Sequence, residues 1–208
     1  MNSLDQKVLI MIVGPAAIGK TTLMNTVVKL DSECSYVRSF TTRPRRQNEI
    51  SHYHFISRTE ALDLRRTGKT ITFFEHPTTR DIYGTTAESY QTRFSLLDTL
   101  STTVKEYRNL AFERTITISL TASPEQWREW FVSRYPEPSE EASKRLKEAE
   151  HSITWSLTDP KSHWLLNPAG ETELTARTLI HLITSDIPQS SPPDEAKALL
   201  AFIQSGIY

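Results

Sequence analysis

The chain has 208 residues, of which 38% are hydrophobic and 24% charged, and this composition is typical of a folded protein and excludes a disordered one. The net charge of -1 excludes a general electrostatic attraction to nucleic acid, although a local basic patch can still hold phosphates. No apolar run approaches the ~18 residues of a membrane helix, and the N-terminus lacks a signal-peptide layout. We therefore expect a cytoplasmic protein with neither a nucleic acid nor a membrane as partner.

Strand signals recur along the chain. The first is the continuous apolar run Val8–Val13, which is bounded by Gly14 and Pro15 and is typical of a strand buried on both faces of a parallel sheet. Six further strands are predicted, at 36–40, 53–56, 71–75, 94–98, 115–120 and 163–167.

Helix start signals lie between several of these strands. Ser123 offers a hydroxyl N-cap, Pro124 suits the first helical position and Gln126 is placed to close a capping box, so we predict a helix to about residue 133. The same capping-box pattern begins at Ser57 and at Thr85. Strands that alternate with helices predict an α/β fold.

The second half of the chain contains the longest predicted helix, at 140–157, and a Pro-rich linker at 187–193 that precedes a terminal helix at 196–203. Cys34 is the single cysteine, which excludes an internal disulfide and a thiolate metal site. We expect it to be a buried or half-buried small residue.

The segment that ends in Gly19-Lys20-Thr21 matches the phosphate-loop pattern G-x-x-x-x-G-K-[ST] and lies between a buried strand and a predicted helix. Backbone N–H groups of such a loop bind phosphate oxygens, and the helix adds its positive dipole end. Lys20 is predicted to contact the β- and γ-phosphates of ATP and to be catalytic, and the Thr21 hydroxyl to ligate Mg²⁺. The competing interpretation is a glycine turn before an ordinary helix. The remaining predicted ATP contacts here are Gly14, Pro15, Ala16, Ala17, Ile18, Gly19 and Thr22.

Downstream segments resemble the guanylate kinases, whose signature is a T-T-R-x-x-R block followed by a glutamate and then a tyrosine before an aromatic residue. Here that block begins at Thr41, and Tyr53-His54-Phe55 follows it. The resemblance covers about residues 7 to 185. Further matches in the family's order are Glu75, 81–85, 121–124, Arg134, 144–146 and 166–167.

This resemblance implies a P-loop NTPase-type parallel sheet flanked by helices, with a small nucleotide-monophosphate-binding insertion at 35–86 and a helical lid at 126–156. These parts would form one guanylate kinase-like domain, 1–188, followed by the linker and C-terminal helix at 189–208. It also implies phosphoryl transfer from ATP, with Mg²⁺, to GMP or dGMP. The partners would then be small-molecule nucleotides, and the chain a monomer or homodimer.

The resemblance assigns acceptor contacts residue by residue. Arg43 and Arg46 carry planar guanidinium groups suited to bidentate capture of the acceptor phosphate, and the hydroxyls of Tyr53 and Tyr83 can bond the same oxygens. Glu75 would accept hydrogen bonds from guanine N1–H and the exocyclic amine. The alternatives are a solvated Arg-rich turn and a solvated strand end.

Three smaller assignments complete the predicted GMP site. Ser39 and Thr85 would add hydroxyl contacts to the base, although Thr85 could instead be a helix cap. The family usually carries two acidic residues late in the strand at 94–98. Here Asp98 is retained and Leu100 replaces the second.

On the lid side, Arg134 and Arg145 would close over the triphosphate and neutralise charge on the transferred group. Arg145 could instead pair with Glu141 on a helix surface. Asn167 would contact the adenine of ATP, or it could be only a turn residue. We assign no chemistry to the tryptophans, which we predict to be core or lid-packing residues, at Trp127, Trp130, Trp155 and Trp164.

Two other functions compete with this interpretation. A kinase-like module that binds peptides would lose phosphate-loop residues, whereas Lys20 and Thr21 are present here. A P-loop kinase acting on a sugar phosphate would leave Glu75 without an evident purpose.

Overall fold

The computed structural model describes residues 4–45, 53–76, 79–185 and 191–206. In chain order, its strands are β1 (Val8–Val13), β2 (Cys34–Tyr36), β3 (Phe40–Thr41), β4 (His54–Phe55), β5 (Thr70–Glu75), β6 (Ile82–Thr86), β7 (Phe94–Asp98), β8 (Arg114–Thr121) and β9 (Ser162–Leu166). Its α-helices are α1 (Lys20–Leu30), α2 (Arg58–Arg66), α3 (Val104–Arg108), α4 (Pro124–Arg134), α5 (Glu140–Thr158), α6 (Thr172–Thr184) and α7 (Asp194–Ser205).

Two sheets organise the fold. The larger sheet has the order β2-β7-β1-β8-β9, and all of its strands are parallel. The smaller sheet has the order β4-β3-β6-β5, with β6 antiparallel to both neighbours, and it is built from chain between β2 and β7. The predicted α/β fold, with a parallel sheet flanked by helices, is confirmed.

The apolar run of β1 is explained by its place in the centre of the larger sheet. Its even-numbered residues, such as Ile10, pack with α1, α4, α5, α6 and α7 on one face. Its odd-numbered residues, such as Met11, pack with Tyr90, Val104 and Tyr107 on the other. Because both faces are covered, every residue of β1 is buried and no polar side chain is tolerated there.

The helix N-caps predicted at Ser57 and Ser123 are both present in the structure. The Ser57 hydroxyl accepts the Glu60 N–H at 3.2 Å and the Glu60 carboxylate accepts the Ser57 N–H at 2.7 Å, which closes the predicted capping box of α2. Ser123 caps α4 as predicted, but the Gln126 amide donates to Glu129 and leaves that box open.

The predicted burial of Cys34 is also confirmed. Burial, followed by the charges of Asp31 and Glu33, raises the pKa of its thiol to about 12.

Several sequence-based assignments are wrong. The strand predicted at 36–40 is divided between the two sheets, because the Val37 N–H donates to Leu96 in the larger sheet while the Ser39 carbonyl accepts from His54 in the smaller one. The helix predicted at Thr85 is absent: Thr85 lies in β6 and is followed by one 3-10 turn, Ala87–Ser89. Strand β6 and helices α3 and α6 were not predicted.

The predicted helix at 140–157 is confirmed as α5 and the terminal helix as α7, which packs against α5. Part of the predicted linker, 187–190, lies outside the described residues. None of the helices in the described part of the chain is both long and apolar enough to cross a membrane.

Candidate active site

The phosphate loop follows β1 directly and leads into α1. Two of its glycines have no room for a side chain: a Cβ on Gly14 would lie 2.8 Å from the Leu120 carbonyl oxygen, and one on Gly19 would lie 2.6 Å from Asn167 Nδ2. Gly19 also has φ of 92°, in the left-handed region that favours glycine. Leu120 in β8 and Asn167 after β9 therefore leave room only for glycine at these two positions.

Two buried side chains hold the loop from behind. The indole N–H of Trp127 donates to the Ala16 carbonyl at 2.8 Å, and Asn167 Nδ2 donates to the Ile18 carbonyl at 3.0 Å. The N–H and C=O of a trans peptide unit point in opposite directions. The N–H groups of Ala17 and Gly19 therefore point away from these two donors, which is the orientation that phosphate binding requires.

Asn167 and Trp127 thus make contacts with the loop that the sequence did not indicate. Asn167 follows β9 and is only 4% exposed; its Nδ2 is bonded to the loop, whereas its Oδ1 has no hydrogen-bond partner among the described residues. Trp127 is fully buried, which confirms its assignment to the core, as Trp164 does at 9% exposure. Trp130 and Trp155 are partly buried against the core.

Lys20 begins α1 and its side chain folds back over the loop. Its Nζ donates to the carbonyls of Gly14 at 2.8 Å and Pro15 at 3.0 Å, and it lies 3.9 Å from Asp98 Oδ1. Thr21 and Thr22 are exposed in the first turn of the same helix. Lysine, hydroxyl and carboxylate groups therefore meet at the carboxyl edge of the larger sheet, where ligands bind in open α/β folds.

Asp98 ends β7 and lies between several charges. Desolvation by the surrounding protein raises the pKa of this carboxyl, and the positive charges of Lys20 and then Arg134 offset only part of that rise. About 43% of the side chain remains exposed, so the carboxylate is still open to the cleft. This influence shows that Arg134, the last residue of α4 and a predicted catalytic arginine, lies within electrostatic range of Asp98.

A second cluster lies on the smaller sheet. The Arg43 guanidinium lies over the rings of Tyr53, at 5.2 Å, and Phe55, at 5.3 Å, and Tyr53 meets Tyr83 edge to face at 5.9 Å. Burial, followed by the charge of Asp98, raises the pKa of Tyr53. The predicted acceptor residues Arg43, Tyr53 and Tyr83 are therefore brought together, and Tyr53 lies within electrostatic reach of Asp98.

Two further residues, Ser39 and Arg46, were predicted to contact the acceptor. Ser39 is 8% exposed and directly precedes β3 in the chain. Arg46 lies outside the described residues.

Glu75 ends β5 and is paired with two arginines. Its Oε1 lies 2.7 Å from Arg80 Nε and its Oε2 lies 3.2 Å from Arg58 Nη2, with 26% of the side chain exposed. The sequence analysis missed both arginines. The position of Arg80 directly before the 81–85 motif was the available signal, because the hairpin between β5 and β6 returns that residue to the end of β5.

Thr85 is fully buried and its hydroxyl belongs to a network inside the fold. Its Oγ1 lies 2.8 Å from Thr72 Oγ1 and accepts from the Tyr90 hydroxyl at 2.9 Å, and Thr72 Oγ1 in turn lies 3.3 Å from the Tyr107 hydroxyl. The alternative helix-cap role of Thr85 is wrong, since Thr86 precedes the 3-10 turn. In this arrangement Thr85 ties the smaller sheet to the core.

Arg145 is held on the surface of α5 by two carboxylates, with Glu148 at 2.7 Å and Glu141 at 3.6 Å. The pairing with Glu141 is the alternative that the sequence offered.

Leu100 follows Asp98 by two residues and is 51% exposed. It therefore places an apolar side chain where the second acidic residue was expected.

Comparisons with known proteins agree with this arrangement. The sequence model of the family "Guanylate kinase" matches residues 6–157. The guanylate kinase of Agrobacterium fabrum is 44% identical over 52 residues, which cover 24% of each chain. The guanylate kinase of Nostoc sp. is 35% identical over 83 residues, which cover 39% of this chain and 41% of the relative. These alignments thus span about a quarter to two fifths of the curated relatives.

A solved structure shows the same fold. The crystal structure of guanylate kinase from Anaplasma phagocytophilum superposes with a TM-score of 0.54 at 17% identity, covering 88% of this chain and 86% of the other.

Proposed function

The chain belongs to the guanylate kinase family of nucleoside monophosphate kinases, and on this premise we propose that it transfers the γ-phosphoryl group of ATP to GMP or dGMP, giving ADP and GDP. The observation that carries the proposal is that Asp98 lies within electrostatic reach of two groups of polar side chains, Lys20 at the phosphate loop and Tyr53 in the cluster that it forms with Arg43. Such an arrangement suits a donor phosphate and an acceptor phosphate that must meet in line.

On the donor side, the phosphate loop binds the triphosphate through N–H groups that are already oriented, which lowers the reorganisation needed in the transition state. Lys20 exchanges its bonds to the Gly14 and Pro15 carbonyls for the β- and γ-phosphates. Arg134 approaches from the end of α4 and neutralises charge on the transferred group. Arg145 is a weaker candidate for this role, since two carboxylates already balance its charge.

The donor set also fits Mg²⁺. Magnesium prefers oxygen ligands, keeps several waters and needs few protein groups when substrate phosphates are present. The Thr21 hydroxyl and the Asp98 carboxylate supply such oxygens beside Lys20, and the described residues contain no group of three or more His, Cys, Asp or Glu side chains that could form a complete protein cage. When bound, the ion would draw the donor phosphates together and offset their negative charge.

On the acceptor side, Arg43 and the hydroxyls of Tyr53 and Tyr83 bind the phosphate of GMP, with Arg46 and Ser39 as further predicted contacts. The attacking atom is an ionised phosphate oxygen, so no general base is needed and alignment supplies most of the catalysis. Glu75 accepts hydrogen bonds from guanine, whereas adenine presents an acceptor at the corresponding ring nitrogen.

The experiment is a coupled ADP-release assay with GMP, dGMP, AMP, UMP and CMP on the wild type, Glu75→Gln and Lys20→Ala. We expect turnover with GMP or dGMP alone, loss of turnover in Lys20→Ala, and a fall in kcat/KM for GMP of about 30- to 150-fold in Glu75→Gln, from the ~2–3 kcal/mol of a lost charged hydrogen bond.

An unchanged ratio of GMP to AMP in Glu75→Gln would contradict guanine recognition by this residue. A folded wild-type protein that turns over none of the acceptors would instead support a binding module. Near-normal kcat in Lys20→Ala would refute the phosphate-loop assignment.

A further inference from the structure

The turn that joins β5 to β6 holds an arginine in an unfavourable backbone conformation. Arg80 has φ of 61°, in the left-handed region that non-glycine residues rarely occupy. The turn is closed by two backbone hydrogen bonds, from the Arg80 N–H to the His76 carbonyl at 2.9 Å and from the His76 N–H to the Asp81 carbonyl at 2.8 Å. Strain of this kind persists where the surrounding structure imposes it, and it is concentrated at functional sites.

The strained backbone directs the Arg80 side chain onto Glu75. Arg80 Nε lies 2.7 Å from Glu75 Oε1, although the Arg80 side chain remains 70% exposed. Arg58, at the start of α2, supports the same turn, since its Nη1 donates to the Arg80 carbonyl at 2.8 Å and its Nη2 lies 3.2 Å from Glu75 Oε2. A guanidinium and a carboxylate thus lie side by side at the end of β5, and Glu75 is the residue predicted to contact the base.

We propose that Arg80 is a specificity-determining residue that donates a hydrogen bond to the 6-oxo oxygen of the acceptor base while Glu75 accepts from N1–H. This inference rests on the proposed function and deepens it. Guanine presents its O6 acceptor directly beside its N1–H donor, so an adjacent guanidinium and carboxylate match that edge. Adenine presents a 6-amino donor beside an N1 acceptor, and both groups would face a partner of the wrong kind.

The chemistry of arginine supports this role. A guanidinium carries five N–H donors in a planar array, and its Nε lies 2.7 Å from Glu75 Oε1. The Nη edge can therefore bind a second acceptor while the ion pair is kept.

The test compares the wild type, Arg80→Ala, Arg80→Gly and Arg66→Ala with GMP, 6-thio-GMP and AMP. Arg66 is the matched control, because it is a 75% exposed arginine of α2 that pairs with Asp63 at 3.1 Å, away from Glu75. We expect Arg80→Ala to lower kcat/KM for GMP by about 10- to 100-fold, with little change for AMP and none in Arg66→Ala. Sulfur is a weak acceptor, so 6-thio-GMP should be a poorer substrate than GMP for the wild type but not for Arg80→Ala.

Arg80→Gly separates recognition from structure. Glycine adopts the positive φ without strain, so this variant should melt at a higher temperature than the wild type while it loses the same preference for GMP. A structural role would lower stability and affect all acceptors alike. An unchanged or increased kcat/KM for GMP in Arg80→Ala, or a thio effect that persists there, would overturn the proposal.

Binding measured by calorimetry without ATP distinguishes this proposal from the proposed function. If the wild type binds GMP but does not phosphorylate it, the transfer reaction fails and the affinities of the same variants for GMP and 6-thio-GMP decide the role of Arg80. If the wild type binds no GMP, both are overturned.

Discussion

Replacing Trp127 by phenylalanine tests whether the phosphate loop is held in its binding conformation from behind. The change keeps most of a fully buried aromatic ring in the core but removes the indole N–H that donates to the Ala16 carbonyl at 2.8 Å. The carbonyl then loses a partner that no phenylalanine can replace. The peptide unit between Ala16 and Ala17 becomes free to rotate, and the N–H that it offers to phosphate is no longer fixed.

The magnitude follows from two contributions. A buried acceptor left unpaired costs about 1–3 kcal/mol. The smaller ring leaves a cavity of roughly 40 Å³, which adds about 1 kcal/mol at ~24 cal/mol per Å³. We therefore expect Trp127→Phe to lower the free energy of unfolding by about 2–4 kcal/mol and to raise the KM for ATP by about tenfold. The KM for GMP should change little, because the acceptor cluster lies on the smaller sheet.

Denaturant unfolding and initial-rate kinetics measure both effects. Trp130→Phe is the matched control, since Trp130 lies on the same helix, α4, but is only partly buried. It should lose less than half as much stability and keep the KM for ATP. Equal effects of the two substitutions on KM would refute the positioning role of Trp127, and a wild-type KM for ATP in Trp127→Phe would do so even more directly.

Replacing the carboxylate of Asp98 or of Asp159 by an amide should change the stability of the protein in opposite directions. The pKa of Asp98 is raised, so its negative charge opposes folding at neutral pH. Asp98→Asn should therefore be at least as stable as the wild type at pH 7, by a small margin because the side chain is partly exposed, yet less active. The wild type should gain stability relative to this variant as the pH falls toward 3.8. Thermal melts and kcat check this, and a clear loss of stability at pH 7 would contradict it. Burial alone would raise the pKa of Asp159, but hydrogen bonds from Arg108 and Ser162 outweigh it and the pKa is lowered. Its stabilisation is therefore present above pH 3.8 and lost as pH falls below that value. Asp159→Asn should be destabilised by about 2 kcal/mol at pH 7 and by progressively less as the pH falls below 3.8, whereas a pH-independent loss measured by urea unfolding would refute this account.

The parts of the fold that the sequence predicted best are those whose signals are local. A fully apolar strand such as β1 and a capped helix such as α2 carry their own start signals; β1 was predicted with its observed bounds and α2 with its observed N-cap. Which sheet a strand joins depends on distant partners. The 36–40 segment was therefore predicted as one strand, although Leu96 and His54 draw its two ends into different sheets.

The candidate site shows the same division. The phosphate loop could be predicted from its spacing, because glycine, lysine and threonine have fixed tasks in eight consecutive residues. The pairing of Glu75 with Arg58 and Arg80 could not, since it depends on the hairpin register and on a helix that begins 17 positions earlier in the chain. Thr85 has the residue type expected of a base contact, but its hydroxyl is used by Thr72 and Tyr90 inside the fold.

The anchoring of α4 also bears on the lid predicted at 126–156. Trp127 and Phe131 are fully buried in the main core, and their rings lie 5.1 Å apart, so this helix cannot swing without breaking the core. Ala142, Ala149 and Ile153 anchor α5 in the same core along most of its length. We therefore propose that lid movement is confined to the short connection between Arg134 and about residue 141. Arg134 would then be a fixed part of the triphosphate site, held by the same helix whose Trp127 orients the phosphate loop, and the geometry between loop and arginine would not depend on closure.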